Sequence, residues 1–199
     1  SWPPEALAQH EQFETARKAY EAAGGEDDYP LATGMVKGLQ DLCARLLEAK
    51  RAADEAKTAY EQAYGAVAAL HQQGVALHDA TPCPANAAAV AQWRKAVRAH
   101  DEATSGQRWV VALESLPGLE TAAKGLSAAN DAMKAFEAEW AGLGSLLAEA
   151  KAFETNAKLA GLSAWSGAKD RVEGHRDAKR WEQARAEALL LKTACSDLK

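Results

Sequence analysis

The sequence predicts an all-α fold of antiparallel helical hairpins linked by long heptad-patterned helices. Three observations predict it. Ala, Leu, Glu, Lys, Arg and Gln dominate, and these are the better helix formers; Ala alone fills 48 of 199 positions and Ile none. Aromatic residues and alanines recur at one fixed spacing, three times along the chain. Between the recurrences, apolar residues follow one another at steps of three and four. Mean hydropathy is only −0.35 although 48% of residues are hydrophobic, because so many of these are Ala. Cores of this composition are thin, with helices in close approach around Leu and a few aromatics.

The recurrence is read from two tryptophan pairs. Trp93 and Trp109 stand sixteen places apart, and so do Trp165 and Trp181. Aligning the pairs places Ala96 on Ala168, Arg108 on Arg180, Ala112 on Ala184, and Leu119 on Leu191. Phe13 and Tyr29 form a third pair with the same spacing, followed by Ala16, Ala32 and Leu39 in the matching places. The common pattern is aromatic-x2-Ala-x12-aromatic-x2-Ala-x6-Leu, and its copies begin at Phe13, Trp93 and Trp165. These starts are offset by eighty places and then by seventy-two. A second correspondence, at the intermediate offset of seventy-six, sets Ala52 to Tyr64 on Ala128 to Trp140 and Tyr60 on Phe136. The offset thus falls by four at each step, close to one helical turn, which shortens a helix while keeping its buried face.

Each element follows from these markers. An aromatic and an Ala three apart share one helix face, where a large ring beside a small residue suits close helix approach. Breakers lie between the paired aromatics: Gly24-Gly25 in the first copy, Thr104-Ser105-Gly106 in the second, Gly174 in the third. Each anchor segment therefore reads as an antiparallel helical hairpin, with one aromatic from each arm meeting in its core. A long helix is predicted from about 30 to 76, carrying Leu31, Met35, Leu39, Leu42, Leu46, Ala53, Tyr60 and Val67 on one seam. Gly74 and the stretch from His78 to Pro84 should end it, with Asn86 capping the next helix. Pro117-Gly118 should separate a short helix from a second long one over 118–160. Gly161-Leu162-Ser163 should open the third copy, with Ser163 as N-cap. The expected organisation is repeat 1 over residues 1–80, repeat 2 over 81–160 and repeat 3 over 161–199. Chain start and end also suggest an excised piece: Ser1 stands where an initiator Met would, and Lys199 falls where a third long helix should begin.

In general plan, the paired aromatics and heptad seams resemble spectrin-type repeats. The resemblance is one of architecture and implies a repeated helical bundle. It carries no binding residues across, so no partner follows from it.

The same residues restrict function. A net charge of −5 argues against nucleic acid, which needs a basic face. Arg171, Arg176, Lys179, Arg180 and Arg185 are interleaved with Asp170, Glu173, Asp177, Glu182 and Glu187, a mixed solvated face. No apolar run reaches the ~18 residues a membrane span needs. Cys43, Cys83 and Cys195 are odd in number and widely spaced, so they predict neither disulfides nor zinc, and a reducing compartment such as the cytoplasm. Cys43 reads as a core residue and Cys83 as an exposed one. His10 and Glu14 share a helix face, but two ligands are not a metal site. His71, His78, Asp79 and Cys83 could converge on a metal near the proline loop, yet read better as polar residues at a helix end. His100-Asp101 and His175-Arg176-Asp177 read as polar residues lining the hairpin turns. Neither a phosphate-binding glycine loop nor a nucleophile elbow occurs. No catalytic, cofactor-binding or metal residue is therefore assigned, and no cofactor.

The expected function is a non-catalytic structural or interaction module of a larger protein: a rod, spacer or scaffold presenting helical faces to protein partners or adjacent domains. The Ala-rich, Ile-free composition suggests a bacterial source. The heptad seams would also allow chains to pair, and contact surfaces are expected on the flank of 118–160 and near residues 79–86 and 160–164. The alternative is a compact helical bundle that binds a small ligand or a delivered polypeptide, as in a bacterial effector or secretion-associated protein.

Overall fold

The computed structural model describes residue 2 and residues 4–25, 29–153 and 161–197. Among them every regular element is a helix: α1 Pro4–Gly25, α2 Tyr29–Asp79, α3 Ala87–Ser105, α4 Trp109–Gly142, α5 Gly144–Lys151, α6 Leu162–Asp177 and α7 Trp181–Asp197. The all-α expectation holds. The chain divides into two compact units: residues 1–69 with 95–120, and residues 70–94 with 121–199. It passes between them inside α2, α3 and α4.

The long helix expected over 30–76 is α2, 51 residues in length. Its burial follows the heptad, but at the start of the expected seam Leu31 is exposed and Ala32 turns inward instead. Ala32, Leu46, Ala53, Tyr60, Val67 and Gly74 are buried, with Leu39 half-buried, so every seventh position turns inward. A helix this long owes its stability to such a seam, because propensity alone leaves helices marginal in water. α2 ends at Asp79, and Asn86 caps α3 as expected: its Oδ1 accepts from the Ala89 N–H at 3.0 Å.

Four punctuation marks in the sequence prove not to be breaks. Gly74 lies within α2, where it makes room for the Trp93 ring. Pro117 lies inside α4. The missing proline N–H removes one bond to the Leu113 carbonyl, but Pro117 and Gly118 are both on the exposed side. Ala112, Leu116, Leu119, Ala123 and Leu126 are buried at steps of four and three straight across it, and that burial holds both halves in one helix. Pro117→Ala should accordingly raise unfolding stability by about 1–2 kcal/mol in a denaturant titration. That is part of the ~3 kcal/mol that proline costs a helix interior, less the flexibility alanine adds to the unfolded chain. Gly174 stays helical, and the turn falls later, at residues 178–180. Ser163 sits inside α6, whose N-cap is Gly161 at φ 87° with no side-chain cap bond. The left-handed backbone there suits glycine, and it brings Leu162 into contact with the core.

The helix expected over 118–160 is interrupted at Leu143, between Gly142 and Gly144. The interruption is one tight turn, with the Leu143 N–H bonded to the Trp140 carbonyl, and Leu147 resumes the helical ladder. Phe136, Leu143 and Ala150 are all buried, so the seven-residue seam survives. Regular helix ends at Lys151, and residues 154–160 lie outside the described residues.

Two turns share one hydrogen-bond scheme. In the α3–α4 turn, Gly106, Gln107, Arg108 and Ala112 donate to the carbonyls of Glu102, Thr104, Ala103 and Arg108. In the α6–α7 turn, Ala178, Lys179, Arg180 and Ala184 donate to Gly174, Arg176, His175 and Arg180. Each donor and acceptor of the second is displaced from the first by the same offset that sets Trp109 on Trp181. Both turns place their middle donor in the left-handed region, Gln107 at φ 55° and Lys179 at φ 53°.

Candidate functional site

Two aromatic trios stand out among the described residues. In the first unit Tyr60 and Tyr64 share one face of α2, four residues apart, with ring centroids 5.7 Å apart and nearly parallel. Trp109, the first residue of α4, tilts against Tyr60 at 5.5 Å. In the second unit Phe136 and Trp140 stack on α4 at 5.9 Å, and Trp181, the first residue of α7, tilts against Phe136 at 5.9 Å. Interplanar angles match as well: 19° and 37° in the first trio, 26° and 35° in the second. Offset and tilted rings avoid facing quadrupoles, and such pairs contribute beyond area burial.

Where the trios differ is polar. His100 is buried in the first unit, stacked on Tyr64 at 5.4 Å, with Nε2 at 2.9 Å from the Tyr60 hydroxyl. Its Nδ1 lies 3.1 Å from the Asp101 carboxylate, which only accepts, so in the neutral form of the ring the proton is assigned to Nδ1. Nε2 is then the acceptor and the Tyr60 O–H donates. The second unit has Phe136 for Tyr60 and, at the offset of the tryptophan pairs, a fully buried Val172 for His100. His100 is therefore not the counterpart of His175, which instead aligns with Ala103. The Tyr60–His100–Asp101 chain superficially looks like a nucleophile, base and orienting acid. Its environment opposes that use: Tyr60 and His100 are buried, and burial pushes the Tyr60 phenol up, with Tyr64, Asp101 and Glu61 adding in the same direction.

Of the residues weighed for metal binding, His78 and Asp79 meet as a pair, and the others have different partners. Glu14 pairs with Arg17 at 2.8 Å, whose hydrogen bond holds its carboxyl below the usual range. His10 tilts against Trp2 at 5.1 Å. His71 sits edge-on to Trp93 at 5.7 Å. His78 lies between Asp79, 2.7 Å from Nδ1, and Arg94, which donates to Nε2 at 3.2 Å. Among the described residues no three His, Cys, Asp or Glu side chains form a metal-holding group. Nor is any described helix long and apolar enough to cross a membrane.

The 79–86 junction, expected as a contact surface, is engaged within its own unit. Pro84 and Ala85 are buried there. The Trp181 indole N–H donates to the Pro84 carbonyl, and Lys179 Nζ donates to that of Cys83 at 2.7 Å. Cys83 is half-buried rather than exposed. Sequence reasoning missed this docking because backbone carbonyls leave no residue-type signal; the proline pair on either side of Cys83 was the only hint.

No family model, curated protein or solved structure matches the chain.

Proposed function

We propose that the chain is a non-catalytic structural and interaction module, a rod, spacer or scaffold built from spectrin-like helical repeats that present faces to protein partners. In this reading the second and third hairpins are each completed by the long helix preceding them, and the repeats divide near residues 80 and 160. The observation that carries it is a double coincidence at fixed offsets. The α3–α4 and α6–α7 turns use the same hydrogen-bond scheme at equivalent places, and each first tryptophan of the following helix meets an aromatic pair from the helix before. The hydrogen-bond scheme is a common way for a helix to end at a left-handed residue; what supports the reading is that the scheme and the ring trios recur at the offsets of the sequence pattern. His10, His71, His78 and His100 each serve ring packing or a local hydrogen bond, which agrees with a role that needs no chemistry.

Small-angle scattering with a light-scattering mass tests the reading. A compact monomer of 199 residues has a radius of gyration of about 16 Å. The repeated rod is expected at about 22 Å or more, the value for a rod as long as the ~76 Å of a 51-residue helix. A monomer near the compact value would remove the rod and favour the ligand-binding bundle.

A further inference from the structure

The three hairpins share one pattern but are not covered alike. In the second and third, five aligned pairs are buried: Trp93 and Trp165, His100 and Val172, Ala112 and Ala184, Leu116 and Ala188, Leu119 and Leu191. At the offset that sets Phe13 on Trp93, the first hairpin, α1 with the start of α2, has Phe13, Tyr20, Ala32, Val36 and Leu39 in those places. Ala32 is buried, and so is Ala23 near the end of α1, so the two arms do close on each other. Yet Tyr20 and Val36 are each 37% exposed, and Phe13 and Leu39 are only half-buried.

What covers these positions elsewhere is a third helix. On the second hairpin, Tyr60 and Tyr64 lie against His100 and Trp109, and Gly74 receives the Trp93 ring. On the third, Phe136 and Trp140 form the trio with Trp181, and Ala150 belongs to the core that holds Trp165. Both covering segments read aromatic-x3-aromatic-x9-Gly/Ala: Tyr60, Tyr64 and Gly74 within α2, and Phe136 and Trp140 on α4 with Ala150 on α5. The chain contains that pattern twice, and both occurrences are already engaged.

We infer that the α1–α2 hairpin is an acceptor for a third helix of this pattern supplied by a partner polypeptide, which covers Phe13, Tyr20, Val36 and Leu39. The inference rests on the repeat reading above. Exposure falls on the positions that a covering helix buries in the other two hairpins, whereas Ala23 and Ala32 are buried without it. A second copy of the chain is the poorer occupant, because lending either patterned helix would open its own core. The occupant is an amphipathic helix with two aromatics on one face and a small residue ten positions after the second, as in Tyr64 and Gly74.

The test titrates a synthetic peptide of residues 57–79 into the full chain, read by calorimetry and amide hydrogen exchange. Saturable one-to-one binding is expected, slowing exchange at least about tenfold over residues 13–39 but not over 93–119. Val36→Asp should weaken binding at least about tenfold, because it buries an unpaired charge. Val36 is exposed in the chain alone, so this variant should keep its circular dichroism spectrum and melting temperature. A peptide carrying Tyr60→Ser and Tyr64→Ser should not bind. Absent binding, or binding indifferent to Val36→Asp, overturns the inference. So does a dimeric chain with residues 13–39 already protected, which would make a second copy the occupant. An extended scattering radius without peptide binding sinks this inference alone, whereas a compact radius sinks the rod reading.

Discussion

Replacing Gly74 with alanine is expected to destabilise the fold by up to about 2 kcal/mol, although alanine is the better helix former. A Cβ built there meets Cη2 of Trp93 and stands 2.6 Å from Cζ3, in a site where both residues are buried. Neither partner can yield cheaply, because Gly74 belongs to the α2 backbone and the indole is held in the core. Overpacking of this kind costs about 1–3 kcal/mol, against ~1 kcal/mol of recovered helix propensity. The sharper test is a change of sign. Trp93→Ala alone should cost about 3–5 kcal/mol, as for other buried aromatics. In that background Gly74→Ala should become stabilising by up to ~1 kcal/mol, since only propensity is left. Urea titrations of the four proteins close the cycle. If Gly74→Ala stabilises the wild-type background as well, the close approach of ring and backbone is not what glycine serves here.

The second large effect concerns the polar pair that only the first unit contains. Tyr60→Phe removes the hydroxyl that donates to His100 Nε2 and should cost about 1–3 kcal/mol, the usual range for a buried polar atom deprived of a partner. His100→Val strands the hydroxyl instead and should cost a similar amount. The double variant reproduces the Phe136 and Val172 combination of the second unit, where both residues are buried, and should recover much of the loss. A coupling of at least about 1 kcal/mol is therefore expected; simple additivity would show that the two sites are not interchangeable solutions. Tyr60 also predicts an alkaline effect. Its phenol is pushed up by burial, so its contribution is complete below the unfolded value near 10 and is lost as pH rises beyond it. Tyr60→Phe should flatten that limb of the stability profile.

How much of this was legible beforehand depends on the residue. Leu46, Ala53, Tyr60 and Val67 announced α2 by their seven-residue spacing, and their burial follows it. Asn86 announced its cap, because an Asx side chain after a proline loop has few better uses than the N–H groups of a new helix. The alignment sets Tyr60 on Phe136 and Trp109 on Trp181, but the pattern predicts that the aromatics of one hairpin meet each other, whereas Trp109 tilts against Tyr60 and Trp181 against Phe136, rings of the helix before. Gly74, Pro117, Gly174 and Ser163 misled, because each has a strong local meaning that the packed chain need not obey. At Gly74 the Trp93 ring overrode it, and at Pro117 the buried face from Ala112 to Leu126 did.

The sequence by itself determined that the chain is helical, where its aromatic anchors recur, and which face of each long helix turns inward. Those follow from propensity and periodicity, which are properties of neighbours along the chain. Only the tertiary structure decided that Gly74 is a seat for an indole, that Tyr60 and His100 satisfy each other, and that the carbonyls of Cys83 and Pro84 are held by Lys179 and Trp181. Each of these joins residues far apart along the chain, Trp181 and Pro84 the furthest. Local spacing cannot encode such pairs; they arise because buried rings need space and buried polar atoms need partners, and both are found only once the helices have packed.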